Sequence, residues 1–133
     1  MIYLLDTHII LWSLFEPNKL SASIRAILEN DSDTKYVSGV NLWEISLKYS
    51  LGKLELGGMT PEELLDIILK AGYDVLELES RLLATSYQLP KKPDHRDPFD
   101  RLLIWQAISN NYTLLSQDTK ITQYHDSGLD LII

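Results

Sequence analysis

The stretch Ile2-Tyr3-Leu4-Leu5-Asp6-Thr7-His8-Ile9-Ile10-Leu11-Trp12-Ser13-Leu14-Phe15 decides the fold. Its first four residues form a short, sharply bounded apolar run that reads as a buried strand. Residues 8–15 read as a short helix, apolar almost all round, which is therefore buried or forms an interface. A strand running directly into a helix opens a βα unit, and the rest of the chain repeats the pattern. Ser21 is a good N-cap for a helix through Ile24, Ile27 and Leu28. Tyr36-Val37-Ser38 suggests a second strand, and residues 40–51 a helix stopped by Gly52. Thr60-Pro61-Glu62-Glu63 supplies an N-cap, Pro at N1 and Glu at N3 for a helix whose face is Leu64, Leu65, Ile68 and Leu69. Residues 74–78 alternate like a strand, and 80–88 form a helix ended before Pro90. A charged loop over 90–97 leads to a helix at 98–110, a strand at 113–115, a helical turn near 119–124 and a terminal strand at 129–132. This order predicts a single α/β domain over 1–133, three layers deep, with a central, mainly parallel sheet.

The chain has 133 residues and is 45% hydrophobic, enough for one domain with one core. No stretch approaches the ~18 apolar residues of a membrane span. The N-terminus lacks the basic start and cleavage region of a signal peptide. The absence of cysteine excludes disulfides and thiolate metal sites. A cytoplasmic protein with no membrane association is the simplest expectation. The net charge of −7 is awkward for nucleic-acid binding, because generic binders carry a basic footprint.

Four carboxylates stand where the pattern calls for apolar residues. Asp6 closes the first strand, and Asp118 follows Leu114-Leu115-Ser116-Gln117. Glu44 lies on the stripe Val40, Leu47, Leu51, and Asp100 on the stripe Leu103, Ile104, Ala107, Ile108; these spacings fall on one helical face. Ionised carboxylates in apolar surroundings need a cation or hydrogen-bond donors, so four of them suggest a divalent metal site. Discounting them takes the net charge from −7 to −3. In a parallel sheet, strand ends and the starts of neighbouring helices share one edge, where ligands collect. Each acid also has a simpler role: Asp6 and Asp118 as turn or cap residues, Glu44 as a partner for Lys48 one turn on, and Asp100 as an N3 acid near the helix dipole. Asp97-Pro98 is an N-cap followed by Pro at N1, and capping alone explains Asp97.

Other motifs add less. His8, His95 and His125 have no metal-ligand spacing. His95 and Arg96 read as part of a solvated loop, with substrate contact as the alternative; His8 packs or hydrogen-bonds beside Asp6. There is no phosphate-cradling glycine loop, Gly57-Gly58 reads as a turn, and Trp12, Trp43 and Trp105 read as core or interface.

Leu4-Leu5-Asp6-Thr7-His8, Trp43-Glu44-Ile45 with Gly52-Lys53-Leu54, His95-Arg96-Asp97-Pro98-Phe99-Asp100-Arg101-Leu102-Leu103 and Leu115-Ser116-Gln117-Asp118 together resemble the PIN-domain nucleases, specifically the VapC-type toxins of type II toxin–antitoxin systems. The resemblance spans nearly the whole chain in order. It implies a three-layer α/β/α PIN-like domain and a Mg²⁺- or Mn²⁺-dependent endoribonuclease. It further implies a cognate antitoxin partner and a homodimer or toxin–antitoxin hetero-oligomer. The acidic quartet maps onto Asp6, Glu44, Asp100 and Asp118, with Asp97 as an additional acid and Thr7 and Ser116 as hydroxyl neighbours. Asp6 and Asp100 are then expected to bind metal directly, and Glu44 and Asp118 through water or a second ion. Glu44 or Asp118 would orient the attacking water for in-line hydrolysis. Lys48, Lys53, Lys92, Arg96 and Arg101 are the candidates for RNA phosphate contacts. A catalytically inactive PIN-like scaffold is the first alternative. A phosphoacceptor receiver module needs adjacent acids after the first strand, where only Asp6 stands; a dehalogenase-like phosphatase needs an acid at the position His8 occupies.

Overall fold

The computed structural model describes residues 1–133. In chain order its elements are β1 (Ile2–Leu5), α1 (Thr7–Phe15), α2 (Ala22–Glu29), β2 (Thr34–Ser38), α3 (Gly39–Ser50), α4 (Pro61–Lys70) and β3 (Asp74–Leu76). They continue with α5 (Ser80–Thr85), α6 (Pro98–Asn110), β4 (Thr113–Leu115) and β5 (Asp130–Ile132). Tight 3-10 turns cover Pro17–Lys19, Ser86–Gln88 and Thr119–Ser127. All pairings are parallel and the strand order is β3-β2-β1-β4-β5. The expected three-layer α/β/α fold with a parallel sheet is therefore present. A receiver module would place its first strand between the second and third, whereas here β1 lies between β2 and β4. No helix is long and apolar enough to cross a membrane.

Alternation along β1 divides the core. Tyr3 and Leu5 point to one face of the sheet and join Ile9, Ile10, Ile24, Leu64 and Ile68 from α1, α2 and α4. Leu4 points to the other face and joins Leu103, Ile104 and Ala107 of α6, with Ile121 and Tyr124 from the last 3-10 turn. Helix α3 contributes to both sides, Ile45 to the first and Val40 to the second.

Capping chemistry sets most boundaries as expected. Ser21 accepts from the Ile24 N–H, and Thr60 and Glu63 form a reciprocal capping box. Four readings change. The inward stripe of α3 is Val40, Asn41, Glu44 and Ile45, whereas Leu47 and Leu51 are exposed. The helix is rotated because Asn41 turns inward to hydrogen-bond, which apolar periodicity cannot register. The expected helix over 80–88 tightens to a 3-10 turn after Thr85, and the last helical turn runs on to Ser127.

The fourth change concerns β2, which begins at Thr34, because pairing with Ile2 extends it. Its Lys35 is buried, and Nζ donates to the carbonyls of Leu28 and Asn30, both at 3.0 Å. A cation there satisfies and complements the C-terminal end of α2. Replacing Lys35→Met would take this donor from the Leu28 carbonyl and leave the Asn30 carbonyl only the Asp33 N–H at 3.4 Å. We expect a loss of about 2 kcal/mol in urea denaturation, and an unchanged midpoint would contradict this account.

Candidate active site

The site begins at the seam between β1 and β4. Leu5 is in register with Leu115, so the next residues, Asp6 and Ser116, meet just beyond the strand ends. The Asp6 N–H donates to the Leu115 carbonyl at 2.9 Å. Its carboxylate caps α1, accepting from the Thr7 N–H at 2.7 Å, and accepts from Ser116 Oγ at 2.8 Å. Ser116 Oγ accepts from the Asp118 N–H at 3.1 Å, and Asp118 caps the following turn through the Lys120 N–H at 3.0 Å. The capping roles of Asp6 and Asp118 are real, yet they coexist with convergence on one point. A strand's end and a helix's start are the same place in a βα unit.

Helix α3 starts at the same edge because it follows β2 directly. Ser38 and Asn41 cap each other, the Ser38 N–H donating to Asn41 Oδ1 at 2.7 Å. Asn41 Nδ2 donates to Thr7 Oγ1 at 2.9 Å, and Thr7 Oγ1 donates to Glu44 Oε1 at 2.6 Å. Lys48 pairs with the other oxygen of Glu44. Glu44 is only 5% exposed and has a donor on each oxygen. Burial disfavours the Lys48 ammonium, but the hydrogen bond and charge of Glu44 hold its pKa above the usual value.

Helix α6 brings the last acids. Asp97 caps it, accepting from the N–H groups of Phe99 at 2.9 Å and Asp100 at 3.3 Å. His95 corrects the expectation of a solvated loop residue, for it is 4% exposed. Its Nδ1 lies 2.8 Å from the Tyr124 hydroxyl and its Nε2 3.4 Å from Asp100 Oδ2. Arg101 donates to the Tyr124 oxygen at 3.0 Å. Nε2 is the ring nitrogen that faces Asp100. Tyr124 was missed in the sequence, since nothing over 29 residues of separation signals the pair. On the other flank His8 Nε2 accepts from the Gln117 N–H at 3.0 Å while Nδ1 stands 3.6 Å from Asp6, and burial lowers its pKa.

Asp6, Glu44, Asp97, Asp100 and Asp118 all line one pocket of about 360 Å³, with Lys48 and Lys53 at its rim. Atoms of His95, Asp100 and Asp118 lie within 4.8 Å of one another, and Asp6 stands outside that tightest group. Burial, then the charges of Glu44 and Asp118, push Asp6 up to about 6. Burial, then Asp6, Asp97 and Glu44, push Asp100 to about 7. These carboxylates are short of positive charge, and Asp100 has no side-chain donor but the distant His95. A set of carboxylate oxygens without sulfur fits a hard divalent cation. Asp6 and Asp100 could hold it, with Asp118 lining the same pocket. Of the other candidates, Thr7 and Ser116 are buried and orient acids, while Lys92, His95, Arg96 and Arg101 line a separate pocket.

A parallel α/β domain with acids gathered beside its central strand defines a small class of proteins. Residues 3–126 match the PIN domain family model, and the chain belongs to that family, whose activity in general terms is that of a nuclease. No curated protein matches it. Among solved structures it is similar to VapBC2 from Rickettsia felis bound to a promoter DNA fragment, with TM-score 0.73, 22% identity, and coverage of 99% of this chain and 98% of that one. It is also similar to VapBC-1 from nontypeable Haemophilus influenzae, with TM-score 0.67, 22% identity and coverage of 99% and 97%. For FitAcB from Neisseria gonorrhoeae the values are 0.68, 18%, and 100% and 97%. At such identities the likeness is one of fold.

Raised carboxylate pKa values make stability fall as pH rises. The folded state binds protons that the unfolded chain releases near pH 4, so stability is greatest below that pH and is lost through the folded value of about 6 for Asp6. For Asp6 the difference is roughly 3 kcal/mol. The metal-free protein should therefore melt at a lower temperature near pH 8 than near pH 5, and Asp6→Asn should flatten the slope. Millimolar divalent cation should raise the melting temperature, most strongly at the higher pH. A melting temperature that rises with pH in the absence of metal would contradict the site.

Proposed function

We propose that this chain is a Mg²⁺- or Mn²⁺-dependent endoribonuclease and the toxin of a toxin–antitoxin pair. One observation carries the reading: acids from four separate segments of the chain share one pocket, and two of them are driven toward neutrality by burial and mutual repulsion. A fold that only needed helix caps would have no reason to crowd them. The family supports nuclease chemistry, and the resemblance to VapC-type toxins is the ground for taking RNA as the substrate.

The roles follow from the hydrogen bonds. Asp6 is held by Thr7 and Ser116 with its carboxylate fixed at the end of β1, and Asp100 faces it from α6. A divalent cation bound there would polarise the phosphodiester and stabilise charge on the departing oxygen. Glu44 is engaged on both oxygens, so it shapes the pocket and anchors Lys48 beside the phosphate. Asp118 accepts only the Lys120 N–H, leaving it the freer carboxylate to orient the attacking water. His95 fixes Asp100, and His8, kept neutral by burial, sits beside Asp6 without adding repulsive or competing charge.

The similarity to VapBC and FitAB assemblies supports an antitoxin partner. Half-buried Leu11 and Trp12 and exposed Phe15 form an apolar cleft with Leu54, a surface suited to a protein contact, whether antitoxin or second protomer.

The purified protein should cleave RNA only with Mg²⁺ or Mn²⁺ present. Asp6→Asn and Asp100→Asn should each lower the rate by about two orders of magnitude or more while the protein stays folded by circular dichroism. Cleavage that survives both substitutions and a chelator would remove the nuclease reading.

A further inference from the structure

A second pocket, about 450 Å³, lies beside the acidic one and is its electrostatic opposite. Lys91, Lys92, Pro93, His95, Arg96 and Arg101 line it, without a single acid. The chain has 19 acidic and 12 Lys or Arg residues, and Asp94, Asp97 and Asp100 share this segment. Even so, none of Lys91, Lys92, Arg96 or Arg101 takes part in an ion pair.

Lys92, Arg96 and Arg101 contact neutral groups instead. Arg101 donates to the carbonyls of Pro90 at 3.0 Å and Leu89 at 2.9 Å, and to the Tyr124 hydroxyl. Arg96 Nε donates to the Pro93 carbonyl at 3.1 Å, and Lys92 Nζ sits 5.8 Å from the centre of the Tyr124 ring. A turn closed by the His95 N–H on the Lys92 carbonyl at 3.1 Å, between Pro90 and Pro98, stiffens the loop. Positive charge that is fixed in place and not neutralised is arranged for an anion, and guanidinium and ammonium groups suit phosphate oxygens.

His95 links the two pockets: it lines the basic one, and its Nε2 stands 3.4 Å from Asp100, which lines the acidic one. The pairs Arg96/Asp97 and Asp100/Arg101 each send one member to either pocket. Asp97 and Asp100 of the acidic pocket and the cationic recess are therefore built from adjoining residues of one short segment.

We propose that this basic pocket is a subsite for a second backbone phosphate of the same single-stranded RNA, flanking the bond that is cut. It rests on the nuclease reading. The pocket separates the five basic candidates into two sets: Lys48 and Lys53 at the acids, and Lys92, Arg96 and Arg101, joined by Lys91, at the flanking phosphate. It also lets a chain of net charge −7 grip a polyanion at one point, which fixes the register and direction of the strand.

The test separates binding from cleavage. A short fluorescein-labelled single-stranded RNA is titrated with the protein in EDTA across a KCl series, using wild type, Lys92→Ala with Arg96→Ala, and Lys70→Ala, a lysine outside both pockets. The double variant should bind about tenfold more weakly, with a salt slope smaller by about 0.7 for each phosphate lost, and Lys70→Ala should match wild type. In the cleavage assay, RNAs with one neutral methylphosphonate linkage are compared. Wild type should lose rate when the neutral linkage stands at one particular flanking position, and the double variant should be indifferent there.

An unchanged affinity and slope in a folded double variant would overturn the proposal. So would an equal loss in Lys70→Ala, which would indicate bulk charge alone. Retained RNA binding with lost binding of a poly-glutamate peptide would overturn it in favour of a protein ligand. A binding loss confined to the double variant, with no metal-dependent cleavage of any RNA, would keep the anion pocket and discard the nuclease reading.

Discussion

Parallel pairing of β1 with β4 brings Asp6 opposite Ser116, and the site depends on that seam. The register also delivers Asp118 two residues on and gives Asp6 its place at the head of α1. A slip of one residue would turn every side chain of β1 to the other face. Leu4 would leave the α6 side of the core, and Asp6 would no longer meet Ser116. The apolar packing that stabilises the sheet is thus the same constraint that positions the first carboxylate.

Around that seam the chain tolerates an arrangement that works against its own stability. Asp6 and Asp100 are raised by burial and by the charge of neighbouring acids, Glu44 and Asp118 for the first and Asp6, Asp97 and Glu44 for the second. Only Lys48 among the strong cations forms an ion pair within the pocket, and it is committed to Glu44. Neutral donors do much of the remaining work: the Thr7 N–H and hydroxyl, Asn41 and Ser116. Hydrogen bonds from neutral groups orient carboxylates without cancelling their charge. The acids remain aimed and electrically unsatisfied, a condition that favours a divalent cation. Arg101 serves both environments, touching the basic recess directly and reaching Asp100 through Tyr124 and His95.

Much of this was legible in the residues themselves. Asp97-Pro98 announced the start of α6, Thr60 to Glu63 the start of α4, and Leu4-Leu5-Asp6 a strand that stops at a charge. The acids stood out because their neighbours are apolar. Illegible were the contacts that cross the chain without local pattern. His95 sits in a segment with every mark of a solvated loop, yet Tyr124 draws it inside. Lys35 belongs by composition to the surface, but two carbonyls at the end of α2 hold it in the interior. Leu47 and Leu51 have the spacing of core residues, while Asn41 takes the buried face because Thr7 and Ser38 need a partner there.

Local chemistry therefore determined the alternation of strands and helices, the caps, and the four carboxylates that required an explanation. These depend on periodicity, propensity and the cost of burying charge, all of which act over a few residues. Tertiary structure decided the strand order around β1, the inward face of α3, the burial of His95 and the separation of acidic from basic groups into adjoining pockets. Each of those depends on which distant group supplies a hydrogen bond or a charge, and that is settled only when the segments pack together.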